Sequence, residues 1–229
     1  MLVQLLDKTK FVEAMKDVLT IDPKRTALVV VDMHQGHLDP DVASMLVPTK
    51  ERVRVLKNAK KLVDTSKKYK IPVIHVILQL RPIEKERLKP FPAAVKTVKK
   101  NLKSEELTWY GKEKLRGWWK PKIMPEVAPQ PEDYVINNKK TFSAYMGTDL
   151  ELLLKTLGVD TIVLIGINTN TCVLCTAFET VNRRFRLIVI SDCVASAYGN
   201  DLHIFSLQNI ARCLGWVLTV NEFEEKLKG

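Results

Sequence analysis

The chain alternates between continuous apolar runs and amphipathic stretches, and this alternation predicts its secondary structure. Residues 26–32 read TALVVVD, and such a β-branched apolar run is typical of a strand buried on both faces of a parallel sheet. Residues 51–69 follow, with apolar side chains spaced for one face of a helix. A second apolar run, IPVIHVILQ at 71–79, predicts the next strand. The pattern therefore predicts a strand–helix–strand unit.

The same alternation returns after residue 131. Residues 147–158 predict a helix, in which Thr148 and Glu151 have the spacing of a capping box at the start and Gly158 suits the end. Repeated strand–helix units with right-handed crossovers predict an α/β fold, a doubly wound six-stranded parallel sheet with helices on both faces. The remaining predicted strands are 133–138, 161–166, 185–192 and 216–220, and the helices are 147–158, 171–184 and 201–215.

Two segments fall outside this alternation. Phe11, Met15 and Leu19 are spaced as one helical face, which predicts an N-terminal helix within residues 1–25. Residues 81–131 are rich in proline and charge and carry three of the four tryptophans, so we expect an insertion over one end of the sheet. A chain of 229 residues suits one domain, 1–229, that contains both additions.

Composition excludes several classes of function. The net charge is +10, but basic and acidic residues are interspersed and no nucleic-acid-binding motif accompanies them, so we expect no nucleic-acid partner. No apolar run approaches the ~18 residues of a membrane span, and the first residues do not read as a signal peptide. The four cysteines lie in apolar helix or strand patterns, which favours reduced thiols and a cytoplasmic protein.

Chemically useful side chains follow three of the predicted strands. Asp32 comes after the first strand, Lys139 and Lys140 after the third, and Cys172 after the fourth. Because ligands of open parallel sheets bind beyond the carboxyl ends of the strands, these residues form a candidate set of base, cation and thiol nucleophile. We expect Cys172 in the first turn of a helix, where the helix dipole lowers a thiol pKa. Singly, each residue also suits a structural role, as turn former, solvated charge or apolar filler.

Three segments carry a resemblance to a known family. They read VVVDMHQGHLD at 29–39, KKTFSAYMGTDLELLL at 139–154 and GINTNTCVLCTAFETVNRRFRLIVISDCVAS at 166–196. In this order they resemble the isochorismatase-like cysteine hydrolases, which include nicotinamidase and N-carbamoylsarcosine amidohydrolase. The resemblance implies the strand order 3-2-1-4-5-6, with Asp32 opposite Cys172. It also implies a homo-oligomer.

The resemblance assigns a role to each matching residue. It implies that Asp32 is the catalytic base, that Cys172 is the nucleophile, and that Lys139 orients them, with the adjacent Lys140 as the alternative. It further implies a cis peptide bond between Ile167 and Asn168. The backbone N–H groups of Asn168 and Cys172 would then form an oxyanion hole.

The implied function is hydrolysis of a C–N amide or ureido bond in a small molecule, N-carbamoyl compounds included. The reaction would pass through a cysteine-linked acyl intermediate and release ammonia or an amine, without a cofactor. The alternatives are a non-catalytic ligand-binding or scaffold protein on the same fold, and a nicotinamidase- or isochorismatase-type hydrolase. Residues 81–90, RPIEKERLKP, lack the aspartate and two histidines that hold a metal in nicotinamidases. Isochorismatases, in turn, lack a cysteine at the position of Cys172.

The substrate-binding residues are harder to predict. His34 and His37 closely follow Asp32 and could line the pocket, whereas their HxxHxD pattern is a weak metal signal, so we expect no bound metal. Aromatic side chains of the insertion could roof the site. The candidate substrate-binding residues are His34, His37, Trp109, Tyr110 and Tyr145.

Overall fold

The computed structural model describes residues 7–43, 45–86 and 121–228. Trp109 and Tyr110, two of the predicted substrate-binding residues, lie outside the described residues. Of the predicted insertion, the structure therefore describes the beginning and the end.

Six parallel strands form one sheet across the described residues, in the order β3-β2-β1-β4-β5-β6. This order confirms the predicted doubly wound fold. The chain builds outward from β1 to β3 and then returns to place β4 on the other side of β1. The carboxyl ends of β1 and β4 therefore lie side by side where the strand order reverses, the usual position of a ligand site in such sheets. The strands are β1 Thr26–Val31, β2 Val73–Leu78, β3 Tyr134–Lys139, β4 Thr161–Ile167, β5 Arg186–Ala195 and β6 Trp216–Leu218.

Helices cover both faces of the sheet. Alternate residues of the central strands point to opposite sides, so that Val30 packs in the core with α3 and α8, whereas Val29 packs in the core with α5 and α6. Because β1 and β4 are buried along their whole length, their carboxyl ends are held by packing on both sides. The helices are α1 Thr9–Asp17, α2 Gln35–Leu38, α3 Thr49–Lys68, α4 Pro82–Glu86, α5 Leu150–Thr156, α6 Leu174–Asn182, α7 Asn200–Asn209 and α8 Val220–Lys226. None of the helices in the described ranges is long and apolar enough to cross a membrane.

Gly166 marks the close approach of β4 to β1, opposite Val31. Its φ is 140°, and a Cβ atom there would lie 2.0 Å from the Val31 carbonyl oxygen. We expect Gly166→Ala to lower the free energy of unfolding by about 2–3 kcal/mol, because the strands must separate or the backbone must adopt a strained conformation. Chemical denaturation measures this loss. Gly158→Ala is the control, since φ there is 68° and no described atom lies within 4 Å of the new Cβ. Equal losses in both variants would contradict the close-approach argument.

The two ends of the chain differ from the prediction. Of the predicted helix 1–25, α1 covers Thr9–Asp17, and Phe11 is 51% exposed while Leu19 is buried beyond the helix end. Pro23 starts a separate 3-10 turn, in which the Asp22 side chain accepts a hydrogen bond from the Lys24 N–H. Because proline lacks an N–H, the turn is the better conformation there.

The last strand is shorter than predicted, because a helix begins within the predicted range. Residues 216–220 were expected as one strand, but β6 stops at Leu218 and α8 begins at Val220. Thr219 and Glu222 form a capping box, with each side chain bonded to the other's backbone. At the predicted capping box of α5, by contrast, the Thr148 hydroxyl donates to the Ala144 carbonyl.

The end of the insertion lies against the segment that follows β1. The Gln35 N–H donates to the Lys122 carbonyl, and the Met124 N–H donates to the Met33 carbonyl. Val127 is buried in the core beside α3. The returning chain therefore packs at the carboxyl end of β1.

Candidate active site

Asp32 follows β1 directly and is fully buried. Its backbone has a φ of 54°, a conformation that aspartate adopts more readily than most residues. The Leu78 N–H donates to Asp32 Oδ1 at 2.7 Å, and the Asp32 N–H donates to the Val76 carbonyl at 2.9 Å. Bonds to β2 thus fix both the backbone and one carboxylate oxygen of Asp32.

Lys139 brings the ends of three strands together. It is the last residue of β3, is fully buried, and reaches past β2 to the ends of β1 and β4. Its Nζ atom lies 2.5 Å from Asp32 Oδ2 and 3.4 Å from Cys172 Sγ. Lys140 Nζ instead donates to the Gln79 carbonyl at 2.7 Å. Of the two candidate lysines, the structure therefore brings Lys139 into contact with the aspartate and the cysteine.

Cys172 lies in a π-helical turn, Thr169–Val173, rather than in the first turn of an α-helix. Burial and then the negative charge of Asp32 raise the pKa of Cys172 to about 12. The prediction that a helix dipole lowers the pKa of Cys172 was therefore wrong. Removal from water and the neighbouring carboxylate both disfavour the thiolate, and they outweigh the Lys139 ammonium.

The charges of the cluster follow from its packing. Burial is the largest influence on Asp32 and favours its protonated form, but the charge and hydrogen bond of Lys139 together with His34 and His37 hold the pKa of Asp32 below its usual value. Burial likewise opposes the charge on Lys139, but Asp32 and then Cys172 raise the pKa of Lys139. At neutral pH the cluster therefore holds a carboxylate, an ammonium and a thiol.

The turn before Cys172 is held to the end of β5 by side chains. A cis peptide bond joins Ile167 to Asn168, at the position implied by the resemblance. Asn168 Oδ1 accepts a hydrogen bond from the Ala197 N–H at 2.8 Å. Asn170 Oδ1 accepts another from the Ser196 hydroxyl at 2.7 Å. Together these bonds fix the backbone on the approach to the nucleophile.

His34 and His37 pack as a stacked pair beside Asp32. Their ring centroids are 4.7 Å apart, and His34 Nε2 lies 3.8 Å from Asp32 Oδ1. Burial and then the neighbouring His37 lower the pKa of His34 to about 3, and burial also lowers the pKa of His37. Both imidazoles are therefore neutral at pH 7, and they form an uncharged wall of the cluster.

Comparison with known proteins places this arrangement in a family. The isochorismatase domain matches residues 26–222, which include Asp32, Lys139 and Cys172. The chain belongs to the isochorismatase family. It is therefore a hydrolase.

The similarity of this isochorismatase-family hydrolase to its relatives extends over most of the chain. It is 32% identical to the uncharacterized isochorismatase family protein YwoC of Bacillus subtilis, over 93% of this chain and 100% of that protein. It is 28% identical to the ureidoacrylate amidohydrolase RutB of Methylobacterium radiotolerans, over 91% of this chain and 82% of RutB. A cysteine hydrolase from Pseudomonas syringae superposes with a TM-score of 0.71 at 24% identity, covering 92% of this chain and 95% of the other, which supports the shared fold.

Tyr145 makes its polar contact away from the charged cluster. Its hydroxyl lies 3.0 Å from the Thr180 hydroxyl on α6, and the Arg183 guanidinium lies 4.6 Å from the ring centroid. Burial raises the pKa of Tyr145 to about 12. The hydroxyl of Tyr145, a predicted substrate-binding residue, is thus hydrogen-bonded to α6.

Several groups that build the site carry no signal in the sequence. The Leu78 N–H is a backbone donor and leaves no side-chain signal. Asn170 and Ser196 meet only because the turn after β4 lies against the end of β5. Among the described residues, no group of three or more His, Cys, Asp or Glu side chains could hold a metal ion.

Proposed function

We propose that this isochorismatase-family hydrolase cleaves a C–N bond of a small amide or ureido compound, with Cys172 as the nucleophile. The observation that carries the proposal is the position of the Lys139 ammonium, in contact with both Asp32 Oδ2 and Cys172 Sγ. A buried carboxylate, cation and thiol that converge at the carboxyl ends of parallel strands provide a base, an electrostatic clamp and a nucleophile.

The substrate class is supported by a relative. RutB of Methylobacterium radiotolerans, 28% identical over nearly the whole chain, is named a ureidoacrylate amidohydrolase. A ureido group is an N-carbamoyl amine, in which one planar carbonyl carbon carries two nitrogen atoms. We therefore propose N-carbamoyl compounds as the first substrates to test, with simple primary amides next.

The first step is attack of the thiol on the carbonyl carbon. Asp32 takes the Cys172 proton while sulfur bonds to carbon and the carbonyl electron pair moves to oxygen. Because the pKa of Cys172 is about 12 and that of Asp32 is lowered, little free thiolate exists before the substrate binds. We therefore propose that proton transfer accompanies bond formation, while Lys139 stabilises the negative charge as it moves.

The backbone N–H groups of Asn168 and Cys172 are proposed to bind the oxyanion. Both lie in residues 168–173, the π-helical turn with its N-cap Asn168, which the side-chain bonds of Asn168 and Asn170 fix against the end of β5. A donor held in place before the reaction stabilises developing charge without reorganising at the moment of attack. This turn would therefore contribute to the rate through its rigidity.

The second half of the reaction returns the cysteine to its thiol form. Protonated Asp32 gives its proton to the departing nitrogen, the C–N bond breaks, and ammonia or an amine leaves a thioester on Cys172. Asp32 then takes a proton from a water molecule as the water oxygen attacks the carbonyl carbon of the thioester. The C–S bond breaks, Asp32 returns the proton to the Cys172 sulfur, and the acid product leaves. The route uses side chains, backbone and water alone, and so needs no cofactor.

The stacked histidines are proposed to contact the substrate. His34 and His37 are buried beside Asp32, and their neutral rings can donate or accept a hydrogen bond without adding charge. A polar, uncharged amide or ureido group suits such a wall. The homo-oligomer implied by the family resemblance stays a prediction.

An ammonia-release screen tests the proposed function. Purified protein is offered primary amides, N-carbamoyl amino acids and ureas at millimolar concentration, and ammonia is measured over time. We expect release from at least one class, with N-carbamoyl compounds first. Mass spectrometry of acid-quenched reactions should detect an acyl adduct on the peptide that contains Cys172. Ammonia release that persists in Cys172→Ala at the rate of the unmodified protein would contradict the proposal.

A further inference from the structure

One buried hydroxyl on the nucleophile turn, residues 168–173, is bonded to a helix outside the candidate catalytic cluster. Thr169 follows Asn168 in the turn and is fully buried. Its Oγ1 atom lies 2.8 Å from His203 Nδ1 on α7. This bond joins the stretch between the proposed oxyanion donor Asn168 and Cys172 to α7.

His203 has different surroundings from its neighbours on α7. Leu202, Ile204 and Phe205 are exposed, whereas the His203 ring turns inward to the nucleophile turn. Burial and then Arg54 lower the pKa of His203, partly opposed by Glu51. The imidazole is therefore neutral at pH 7, and its Nδ1 atom accepts from or donates to the Thr169 hydroxyl according to the tautomer.

Three consecutive turn residues are tied to different parts of the structure. Asn168 and Asn170 are bonded to the segment after β5, and Thr169, between them, is bonded to α7. The β5 end is itself held by Arg54, whose guanidinium donates to the Val194 carbonyl at 3.0 Å. Of the side-chain hydrogen bonds that the described structure gives residues 168–170, the bond to His203 is the one that does not come from the segment after β5.

We infer that His203 is a positioning residue, which acts through Thr169 to hold the turn that carries Asn168 and Cys172 in its reactive geometry. The inference rests on the proposed function, because it assigns this turn a role in attack and oxyanion binding. A small displacement of a reacting group costs far more rate than stability. His203 therefore contributes to kcat and leaves substrate binding almost unchanged.

Kinetics of five variants test the inference on the best substrate from the ammonia screen. His203→Ala and Thr169→Val each remove one side of the bond and are expected to lower kcat about tenfold or more, with KM within about twofold. His203→Asn keeps a polar atom near the position of Nδ1 and is expected to restore most of kcat. Leu202→Ala, on the exposed side of α7, is the matched control with unchanged kcat. The double variant His203→Ala, Thr169→Val should lose no more than either single change.

A substrate-free measurement separates this inference from the proposed function. The protein is treated with iodoacetamide at mildly alkaline pH, and peptide mass spectrometry compares the labelling rate of buried Cys172 with that of exposed Cys213 in the same sample. Because a displaced turn alters both the burial of Cys172 and its contact with Lys139, His203→Ala should change the labelling rate of Cys172 relative to Cys213 about threefold or more, and His203→Asn should restore it. This result would support the positioning role even if no amide were hydrolysed. Unchanged kcat and labelling in His203→Ala would overturn it, as would losses in kcat that track a lowered Tm and are not rescued by asparagine.

Discussion

Replacing Cys172 with alanine is expected to abolish hydrolysis while the protein stays folded. The change removes the only atom that we propose to bond to the substrate, so kcat should fall by about 10⁴-fold or more. The thiol is small and buried, and its loss leaves a cavity the size of one sulfur atom, which should lower the free energy of unfolding by about 1 kcal/mol. Ammonia release measures the first effect, and thermal denaturation measures the second.

Cys175 supplies the matched control for this experiment. It lies three residues further along, in α6, and is half-buried. Cys175→Ala removes the same chemical group from the same region and should retain nearly full activity. Comparable losses in the two variants would indicate a general disturbance of the turn and would contradict the role of Cys172 as nucleophile.

Lys139→Met is expected to destabilise the protein more than any other single change discussed. The ammonium is fully buried 2.5 Å from the Asp32 carboxylate, and methionine has similar length without the charge. Asp32 would be left as a buried, unpaired charge, so the free energy of unfolding should fall by about 3–5 kcal/mol at pH 7. Urea denaturation measures the loss, and hydrolysis should fall with it because the charge on the reacting thiol is no longer stabilised.

The double variant Asp32→Asn, Lys139→Met separates stability from catalysis. It removes both charges, so most of the lost stability should return, whereas hydrolysis should stay lost because the base is missing. Asp32→Asn alone should lower kcat about 10²-fold or more. A double variant no more stable than Lys139→Met would show that the carboxylate–ammonium pair is not the source of the destabilisation.

The pH dependence of stability should reverse between the unmodified protein and Lys139→Met. In the unmodified protein, Lys139 holds the pKa of Asp32 below its unfolded value, so this contribution to stability is present above about pH 4 and is lost on acidification. Without the ammonium, burial raises the pKa of Asp32 above its unfolded value. The variant should then gain stability as pH falls from 7 to 5, which denaturation at several pH values can check.

Much of the fold and part of the site could be predicted from local pattern. The apolar run ending at Asp32 specified a buried strand, and the alternation of strands and helices specified the parallel sheet. The end of the chain was harder, because residues 216–220 contain both a β-branched run and the capping box of Thr219 and Glu222. There the side-chain bonds of the helix start prevailed over strand propensity.

The protonation states in the site and the choice of its lysine could not be predicted from the sequence. Position near a helix start indicated a lowered thiol pKa, but the pKa of Cys172 depends on burial and on Asp32, 140 residues away. The choice between Lys139 and Lys140 likewise depends on the side of β3 from which each side chain leaves. Strand alternation sends adjacent residues in opposite directions, so one lysine enters the site while the other bonds to Gln79.

The attachment of the returning insertion to the segment after β1 is made by main-chain atoms. The donors are the Gln35 and Met124 N–H groups, and the acceptors are the Lys122 and Met33 carbonyls. Bonds of this kind survive most side-chain replacements, apart from proline at a donor position. The segment beside the candidate site can therefore be given a new side chain at exposed Lys122 without being detached, whereas buried Met124 should be kept because it packs in the core.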